Sequence, residues 1–356
     1  YPCWATKEEL DAMREAQRAR GDKPRYDGRW RPERASAAGL VPPKDRPPVV
    51  RFRTPEEGTV GWKDLVKGPI EFPNAELDDL VLLRADGVPT YNFGVVVDDL
   101  DMAITHVIRG DDHVNNTPRQ IHIFRALAAQ LPEFAHVPMI LGADGERLSK
   151  RHGAVSVMQY RDEGFLPEAL ANYLARLGWS HGDEEVFSMA QLEQWFDLGH
   201  VSHSPAKFDA DKLAWLNQHY MKQADSARLA ALAAPYLGRE PSKDVVALLQ
   251  ERAASVKDLA AQAEIFYTEP GVQPVPAEAR PALTALKQSF EGMAWERKGL
   301  GAAVQAAAKA HNLKMPQLAM PLRRVLTGRE QTPSIDAVLE LLGREAVLAR
   351  LARSLA

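Results

Sequence analysis

The sequence of 356 residues predicts an α/β region followed by a separate all-α domain. Between 104 and 141, a strand-like run, a helix-like run and a second strand-like run follow one another, which is the order of a parallel βαβ unit. After about residue 220, alanine-rich segments with leucines at helical spacing alternate with short proline or glycine breaks. These observations predict a parallel sheet in the first part and an all-helical domain over 223–356.

The composition is that of an ordinary globular protein. Hydrophobic residues make up 45% and charged residues 26% of the chain. No apolar run reaches the length of about 18 residues that a membrane span needs. The single cysteine, Cys3, excludes an internal disulfide and fits a reducing cytoplasm. The net charge of −4 leaves room for local basic patches, and nothing in the sequence demands more than a monomer.

The N-terminal part begins with a predicted helix and continues with a loop and short strands. Thr6 as N-cap and Glu9 three residues later form a capping box for a helix over 6–20. A proline-rich, charged stretch from Pro32 to Pro48 predicts a loop. Strand-like runs follow at Val49–Phe52, Gly58–Trp62 and Asp79–Arg84.

The middle of the chain alternates strand and helix signals. Leu80–Leu83 predicts a buried strand, Asp86-Gly87 predicts a turn, and Tyr91–Val97 is compatible with helix or strand because its apolar run is short. The predicted elements after these are a strand over Ile104–Ile108 ending at Arg109-Gly110, a helix over Thr117–Gln130 with Pro118 at its first position, a strand over Glu133–Leu141, and a helix over Leu166–Leu177.

The sharpest chemical signal is a loop rich in glycine and cations, from Gly142 to Gly153, placed just after a predicted strand. Such a loop can open and close. Lys150 can place a point charge against a polyphosphate, and Ser149 can add a hydrogen bond. Adenylation needs this arrangement, because negative charge develops on the leaving pyrophosphate. On these residues alone, a basic surface loop is the alternative interpretation.

Several motifs in order resemble those of bacterial-type glutamyl-tRNA synthetases, which are class I aminoacyl-tRNA synthetases. The run Arg147-Leu-Ser-Lys-Arg151 resembles the mobile KMSKS signature of class I, and its continuation to Gly153 is similar to the glutamyl and glutaminyl branch. The resemblance covers essentially the whole chain through further segments at 9–18, 23–29, 87–99, 105–113, 116–120, 163–170, 173–174, 177–179, 320–328 and 341–345.

The resemblance implies the second half of a class I Rossmann-type catalytic domain with an acceptor-binding insertion, followed by an all-α anticodon-binding domain. The implied domains are a partial acceptor-stem-binding insertion over 1–79, the second half of the Rossmann-type domain over 80–150, the stem-contact region that follows KMSKS over 151–222, and the anticodon-binding domain over 223–356. The C-terminal motifs do not resemble the β-barrels of glutaminyl enzymes. They also argue against the short tRNA-modifying paralogue, which lacks this domain.

Tyr91 and Arg109 match the family's amino-acid pocket. An arginine that pairs bidentately with a side-chain carboxylate suits glutamate and matches the neutral amide of glutamine poorly. The alternatives are a structural ion pair of Arg109 with Asp111 or Asp112, and plain core packing for Tyr91. By resemblance, Asp112 and His113 are candidates for lining the adenylate site.

The resemblance assigns ATP binding to Arg147, Leu148, Ser149, Lys150 and Arg151, and catalysis to Lys150 with Ser149. The family's other ATP signature, a HIGH-like segment near the N-terminus, does not occur in this sequence. We therefore expect the first strand and helix of the catalytic domain to be missing, either because they were removed or because they lie outside this sequence. The chain as given should then be unable to activate an amino acid alone.

Many relatives bind zinc in the acceptor-binding insertion through a Cys-x-Cys pair and later ligands. The corresponding stretch here reads Cys3-Trp-Ala5, and one thiol cannot build a closed tetrahedral site. We therefore expect no structural zinc, and the resemblance implies Mg²⁺ only as the companion of ATP. RNA loops are recognised by splayed bases against aromatic and arginine planes. The tRNA-binding candidates are Arg25, Arg29, Arg323 and Arg324, with solvated helix surfaces as the alternative interpretation.

Together the motifs imply ATP-dependent attachment of L-glutamate to tRNA(Glu) through glutamyl-adenylate, with tRNA bound before activation. One alternative is a non-discriminating enzyme that also charges tRNA(Gln), which charging assays with both tRNAs would identify. The other alternative is a truncated, synthetase-derived RNA-binding module. Recovery of the upstream gene sequence would distinguish that case. The sequence assigns no anticodon-reading residue.

Overall fold

The computed structural model describes residues 1–149 and 156–356. Within them the chain forms two compact units. The first unit comprises 1–148, 175–185 and 190–208, and the second comprises 149–174, 186–189 and 209–356. The sheets lie in the first unit, whereas α-helices dominate the second unit.

The strands of the described residues are short and form three sheets, with the orders β1-β2-β5, β4-β3-β7-β6 and β8-β9. In the four-stranded sheet, β4 is antiparallel to β3, whereas β3, β7 and β6 are parallel. The strands are β1 (Pro2–Cys3), β2 (Val49–Arg51), β3 (Thr59–Asp64), β4 (Gly68–Pro73), β5 (Val81–Leu83), β6 (His106–Gly110), β7 (Glu133–Val137), β8 (Ile140–Leu141) and β9 (Ala206–Lys207).

The helices range from six to fourteen residues. They are α1 (Lys7–Ala19), α2 (Pro32–Ala37), α3 (Tyr91–Asp101), α4 (Thr117–Ala126), α5 (Val157–Asp162), α6 (Pro167–Gly178), α7 (Met189–Trp195), α8 (Ala210–Gln223), α9 (Ser226–Leu237), α10 (Lys243–Leu249), α11 (Val256–Ala263), α12 (Arg280–Gly292), α13 (Arg297–Ala310), α14 (Met315–Thr327), α15 (Ile335–Leu342) and α16 (Arg344–Leu355). Short 3₁₀ helices lie at Asn74–Glu76, Asp111–Asn116, Leu198–His200 and Glu264–Phe266.

The predicted βαβ unit is present as β6, α4 and β7. The two strands pair in parallel, and the register places Arg109 of β6 opposite His136 of β7. Apolar side chains from the sheet and from both neighbouring helices form one core, which includes Val96 of α3, Phe124 of α4 and Phe134 of β7. This core fixes α3 and α4 against the strands, so the first residues of both helices lie near the carboxyl end of β6.

Two local predictions of the N-terminal half are confirmed. Thr6 and Glu9 form the expected capping box at the start of α1. The ambiguous run from Tyr91 is a helix, because it continues to Asp101 and packs Val96 into the core.

Four other predictions of local structure were wrong in detail. The strand predicted as buried at Leu80–Leu83 is β5, which is half-buried and pairs with β2. The predicted loop from Pro32 contains α2. Helix α4 ends at Ala126 rather than at Gln130, since Ala128 has a φ of 52° that no α-helix accommodates. The strand predicted over Glu133–Leu141 is divided into β7 and β8 around Pro138.

The second unit is built from amphipathic helices around two cores. One core joins residues of α6, α8, α9, α10 and α11, and the other joins residues of α12 to α16. Side-chain caps define several helix starts, with Asp209 before α8, Asp225 before α9 and Ser242 before α10. The helical character predicted beyond Tyr220 is therefore present in this unit. No helix among the described residues is both long enough and apolar enough to cross a membrane.

Candidate active site

Arg109 is the central side chain of the candidate site. It is the second-last residue of β6. Gly110 ends this strand, and the 3₁₀ helix Asp111–Asn116 follows directly. A Cβ atom at Gly110 would lie 2.7 Å from Oδ1 of Asp112, so glycine leaves room for the Asp112 carboxylate at this point. The sheet edge therefore presents Arg109 and the 3₁₀ helix together.

Acceptors on β7 and α4 hold the Arg109 guanidinium, and Tyr91 adds a further side-chain hydrogen bond. Its Nε donates to Nε2 of His136 over 3.2 Å. Its Nη2 donates to Oγ1 of Thr117 and to Oε1 of Gln120, each over 2.8 Å. Gln120 in turn donates from Nε2 to Oδ1 of Asn92 over 3.1 Å. The network ties β6 to β7, α4 and α3, and it sets the plane of the guanidinium before any ligand arrives.

A buried carboxylate lies behind His136. Oδ2 of Asp64 is 2.5 Å from Nδ1 of His136, and both side chains are fully buried. Oδ1 of Asp64 accepts backbone N–H groups from Val66, Lys67 and His136. These bonds join the end of β3 to β7 beneath Arg109.

Burial and neighbouring charges set the ionisation of this group. Burial lowers the pKa of Arg109 below its ordinary value, while Tyr91, Asp99 and Asp112 oppose this shift. Burial also lowers the pKa of His136, and Asp64 only partly offsets it. Burial would raise the pKa of Asp64, but hydrogen bonds from the backbone of Lys67 and from His136 outweigh it, so the pKa is lowered. Asp64 is therefore a carboxylate beside a neutral imidazole.

Tyr91 and His113 are two of the predicted site residues, and their rings lie near each other. Tyr91 is the first residue of α3 and is 55% exposed, which excludes the alternative of plain core packing. The centres of the Tyr91 and His113 rings are 6.1 Å apart. Nδ1 of His113 lies 3.1 Å from Nδ2 of Asn116, which orients the imidazole within its 3₁₀ helix. The structure thus brings the two predicted residues together, and Tyr91 also interacts with Arg109.

The acidic residues after Gly110 pair with other cations. Asp111 binds Nζ of Lys67 at 2.9 Å, and Asp112 binds Nη1 of Arg147 at 3.1 Å. The alternative interpretation, a structural ion pair between Arg109 and either carboxylate, therefore does not describe this site. Asp112 still lies close enough to raise the pKa of Arg109. Asp112 thus acts on Arg109 through a longer-range electrostatic interaction rather than through an ion pair.

The KMSKS-like loop starts as a tight turn after β8. The amide of Gly142 donates to the carbonyl of Glu146, and Gly145 has a φ of 81°, which favours glycine. The amide of Leu148 donates back to the carbonyl of Ile140. Arg147 therefore leaves the turn toward the 3₁₀ helix. Lys150 and Arg151 lie outside the described residues.

The predicted tRNA-binding residues of the first unit lie on its surface. Arg25 is exposed and lines a cleft of about 250 Å³ with Lys23, Asn115 and Arg119. Arg29 is paired with Asp27, with 2.9 Å between Nη2 and Oδ2. The charge of Arg25 is thus more open to a phosphate than that of Arg29.

The two candidates of the second unit have neighbours of their own. Arg323 donates from Nε to Oγ1 of Thr332 over 3.1 Å. Arg324 forms an ion pair with Glu330. Both side chains are half-exposed on α14. Either arginine would therefore contact RNA with a side chain that also binds a neighbouring residue of the protein.

Cys3 lies in a small polar cluster of its own. It is 1% exposed, and its Sγ lies 3.3 Å from the Tyr26 hydroxyl and 3.3 Å from Nε of Arg51. The Arg51 guanidinium also lies 3.9 Å from the centre of the Tyr26 ring. Within residues 1–149 and 156–356, no group of three or more histidine, cysteine or acidic side chains is placed to hold a metal ion.

Sequence reasoning missed the residues that support Arg109 from behind. His136, Asp64, Thr117 and Gln120 are all buried polar residues. A signal was present in β7, where His136 interrupts the apolar run from Phe134 to Val137. A buried polar residue in a strand needs a partner, but the sequence does not say which one.

Comparison with known proteins decides the family. A model of the catalytic domain of class I tRNA synthetases (E and Q) matches residues 1–215, and a model of an anticodon-binding domain matches residues 228–355. The glutamate–tRNA ligase of Thiobacillus denitrificans is 60% identical, over 100% of this chain and 78% of that protein. The chain belongs to the glutamate–tRNA ligase family of class I tRNA synthetases.

Further members of this ligase family agree. The enzyme of Janthinobacterium sp. is 58% identical over 100% of this chain and 80% of its own length. The crystal structure of a glutamate tRNA ligase from Elizabethkingia meningosepticum in complex with its amino acid is 29% identical with a TM-score of 0.81. The alignment covers 100% of this chain and 79% of that chain. The expected fold class, a class I catalytic domain followed by a helical anticodon-binding domain, is thereby confirmed.

Proposed function

We propose that the protein attaches L-glutamate to tRNA(Glu) in an ATP-dependent reaction through glutamyl-adenylate. The observation that carries this proposal is the half-buried Arg109, whose guanidinium is held by neutral acceptors and lies near Tyr91 and Asp112. Membership of the glutamate–tRNA ligase family supplies the reaction class.

The reaction has two transfers. An oxygen of the glutamate α-carboxylate forms a bond to the α-phosphorus of ATP, and the bond from that phosphorus to the pyrophosphate oxygen breaks. The terminal ribose hydroxyl of tRNA then forms an ester with the activated carbonyl, loses its proton, and AMP leaves. Most of the acceleration comes from positioning and from stabilisation of the developing charge. ATP enters as its Mg²⁺ complex.

Arg109 selects the side-chain carboxylate. Among the described residues, the acceptors that contact Nε and Nη2 are His136, Thr117 and Gln120. Tyr91 also makes a side-chain hydrogen bond with the guanidinium, so we infer that the substrate carboxylate approaches Arg109 on the side of Tyr91. A carboxylate offers only acceptors to these donors, whereas the amide of glutamine turns two N–H donors of its own toward a cation. The arrangement favours glutamate.

The KMSKS-like loop supplies the charge for the first transfer. We assign ATP binding to Arg147, Leu148, Ser149, Lys150 and Arg151, and we assign catalysis to Lys150 with Ser149. Asp112 and His113 would line the adenylate beside Tyr91. The motive for the last assignment is the ion pair between Asp112 and Arg147, which brings the start of the loop to the 3₁₀ helix.

The remaining parts handle tRNA. We assign the acceptor stem to the insertion over 1–79, with Arg25 and Arg29, and the stem contact to 151–222. We assign the second half of the Rossmann-type catalytic domain to 80–150. We assign anticodon binding to 223–356, with Arg323 and Arg324 as candidate contacts. We expect a monomer that works in the cytoplasm, where translation consumes its product, and we expect no structural zinc.

The test is aminoacylation by the full-length gene product with glutamate or glutamine and with tRNA(Glu) or tRNA(Gln). We expect glutamate to be joined to tRNA(Glu), with tRNA(Gln) a poor acceptor. Arg109→Gln should raise KM for glutamate by about 100-fold, because it leaves the substrate carboxylate without its cation. Arg125→Gln, which changes an exposed arginine on α4, is the matched control. Equal charging of both tRNAs would identify a non-discriminating enzyme, and no charging by the wild-type protein would overturn the proposal.

A further inference from the structure

His136 holds Arg109 from β7, the strand next to β6. We propose that His136, fixed in a single tautomer by Asp64, is a positioning residue that sets the direction of the Arg109 guanidinium and thereby the affinity for glutamate. This inference rests on the proposed function and deepens it. It concerns residues that do not themselves touch the substrate.

The hydrogen bonds of Asp64 determine the tautomer. Its two oxygens face donors only: three backbone N–H groups, the Trp62 indole at 3.3 Å and Nδ1 of His136 at 2.5 Å. An ionised carboxylate has no donor to offer, so the proton between the two side chains belongs to Nδ1. Nε2 of His136 then carries a lone pair.

That lone pair faces Arg109. Nε2 of His136 lies 3.2 Å from Nε of Arg109 and 3.1 Å from Oγ1 of Thr117. Nε of Arg109 has a single N–H, and an unmade hydrogen bond at a half-buried cation is costly. An imidazolium at this place would instead turn an N–H toward the guanidinium. The lowered pKa of His136, caused first by burial, is consistent with the neutral form.

The two sides of Arg109 are held by different elements. Thr117 and Gln120 of α4 bind Nη2, whereas His136 of β7 binds Nε. Without His136, the guanidinium keeps its contacts with α4 and its hydrogen bond with Tyr91, but Nε has lost its acceptor. The guanidinium can then turn about Nη2, and its donors move away from the place where the substrate carboxylate lies. A misplacement of this size weakens a charged pair strongly. His136 therefore acts on ground-state affinity for glutamate.

Two substitutions of the same residue separate positioning from general stability. In His136→Asn the amide nitrogen replaces Nδ1 and keeps the bond to Asp64, but the acceptor for Arg109 is lost. In His136→Gln the amide oxygen replaces Nε2 and keeps that acceptor. Both variants place a neutral amide in the same buried space. The readouts in the full-length enzyme are KM and kcat for glutamate, KM for ATP, and the thermal midpoint.

We expect His136→Asn to raise KM for glutamate by about 10- to 100-fold, the cost of losing a hydrogen bond to a charged group. The value of kcat should change by less than about threefold, because the contact acts equally on ground and transition states. KM for ATP should stay unchanged. His136→Gln should recover most of the loss even if its thermal midpoint is as low as that of His136→Asn.

A spectroscopic measurement tests the tautomer without catalysis. Nitrogen NMR of histidine-labelled wild-type protein at neutral pH should show His136 as a neutral imidazole protonated at Nδ1. An imidazolium, an unchanged KM in His136→Asn, or equal KM values in both variants would each overturn this inference while leaving the proposed function intact. Failure of the wild-type enzyme to charge tRNA with glutamate would overturn both.

Discussion

Arg147 and Asp112 form an ion pair in which Nη1 of the arginine lies 3.1 Å from Oδ2 of the aspartate. The arginine side chain is 68% exposed, so the pair contributes less than about 1 kcal/mol and ATP phosphates can displace it. We expect Arg147→Gln to raise KM for ATP by about 3- to 10-fold through the loss of one exposed phosphate contact. Pyrophosphate exchange at varied ATP concentration, in the presence of tRNA, measures this effect.

The matched control is Arg53→Gln. Arg53 is 60% exposed and is also paired with a carboxylate, that of Glu33 at 2.8 Å. This variant removes the same charge and should leave KM for ATP at the wild-type value. An unchanged KM in Arg147→Gln would remove Arg147 from the ATP site. An equal rise in both variants would instead show a general effect of net charge.

Lys150 is predicted to act on the transition state more than on ATP binding. The prediction rests on the sequence, since Lys150 lies outside the described residues. Lys150→Ala should lower the activation rate by about 10² to 10³, or about 2.7–4 kcal/mol, as expected for the loss of one transition-state donor. KM for ATP should move much less, because an interaction made only in the transition state leaves ground-state affinity alone.

Lys150→Arg is the companion variant. It keeps the charge, but a planar fork does not replace a compact ammonium, so activity should return only in part. Pyrophosphate exchange in the presence of tRNA is again the assay. Unchanged exchange in Lys150→Ala would exclude Lys150 from the mechanism, and a loss confined to ATP affinity would make it a binding residue only.

The buried pair of Arg31 and Asp79 stabilises the N-terminal part of the first unit. Nη2 of Arg31 lies 2.6 Å from Oδ1 of Asp79, and the side chains are 7% and 2% exposed. Removal of Asp79 leaves the buried Arg31 without its bidentate partner, and the remaining ion pair, with the half-exposed Glu56 at 3.1 Å, replaces it poorly. Asp79→Ala should therefore lower the free energy of unfolding by about 3–5 kcal/mol. Glu33→Ala, which breaks the exposed pair with Arg53, should cost less than about 1 kcal/mol. Urea unfolding measures both, and equal costs would contradict this account.

The same pair gives the unfolding free energy a dependence on pH. Burial would raise the pKa of Asp79, but hydrogen bonds from Arg31 and Tyr1 outweigh it, so its folded-state pKa lies below the ordinary value. Its stabilising effect is therefore complete above about pH 4, the unfolded-state pKa, and is lost as the pH falls through the lower folded-state pKa. Asp79→Asn should show a weaker loss of stability in acid. An identical acid dependence in wild type and variant would refute this assignment.

Zinc should not bind near Cys3. The Arg51 guanidinium already donates to Sγ of Cys3, and a dication beside that cation would be repelled. Incubation with a chelator should leave the thermal midpoint unchanged, and metal analysis should find no stoichiometric zinc. A content of about one zinc per chain would contradict the expectation, because a structural site needs four ligands.

The sequence predicted the parts of the fold that depend on local pattern. The capping box of Thr6 and Glu9 and the strand that ends at Arg109-Gly110 depend on short-range chemistry, and both are present. Tyr91 was ambiguous because a short apolar run fits both periods, and tertiary packing of Val96 decided for the helix. Ala128 could not be foreseen as a helix stop, since alanine rarely adopts a positive φ.

The supporting network of the candidate site was beyond sequence reasoning for a different reason. Asp64 and His136 are 72 positions apart, and they meet only because β3 and β7 are parallel neighbours. A single sequence gives the buried polar residue but not its distant partner. The resemblance identified Arg109 and Tyr91, whereas the structure identified what holds Arg109 in place. The roles of all these residues remain predictions for the experiments above.

The short pairing of β8 with β9 affects how readily these two strands separate. Only two residue pairs join these strands, Ile140 with Ala206 and Leu141 with Lys207, whereas β6 and β7 are joined over five. Local opening free energies follow such differences in hydrogen bonding and packing, so amide hydrogen exchange should be faster at β8 than at β7. The base of the signature loop can then detach while Arg109 keeps its partners. Mild denaturant should therefore abolish adenylate formation at a concentration that still leaves the hydrogen bonds of Arg109 intact.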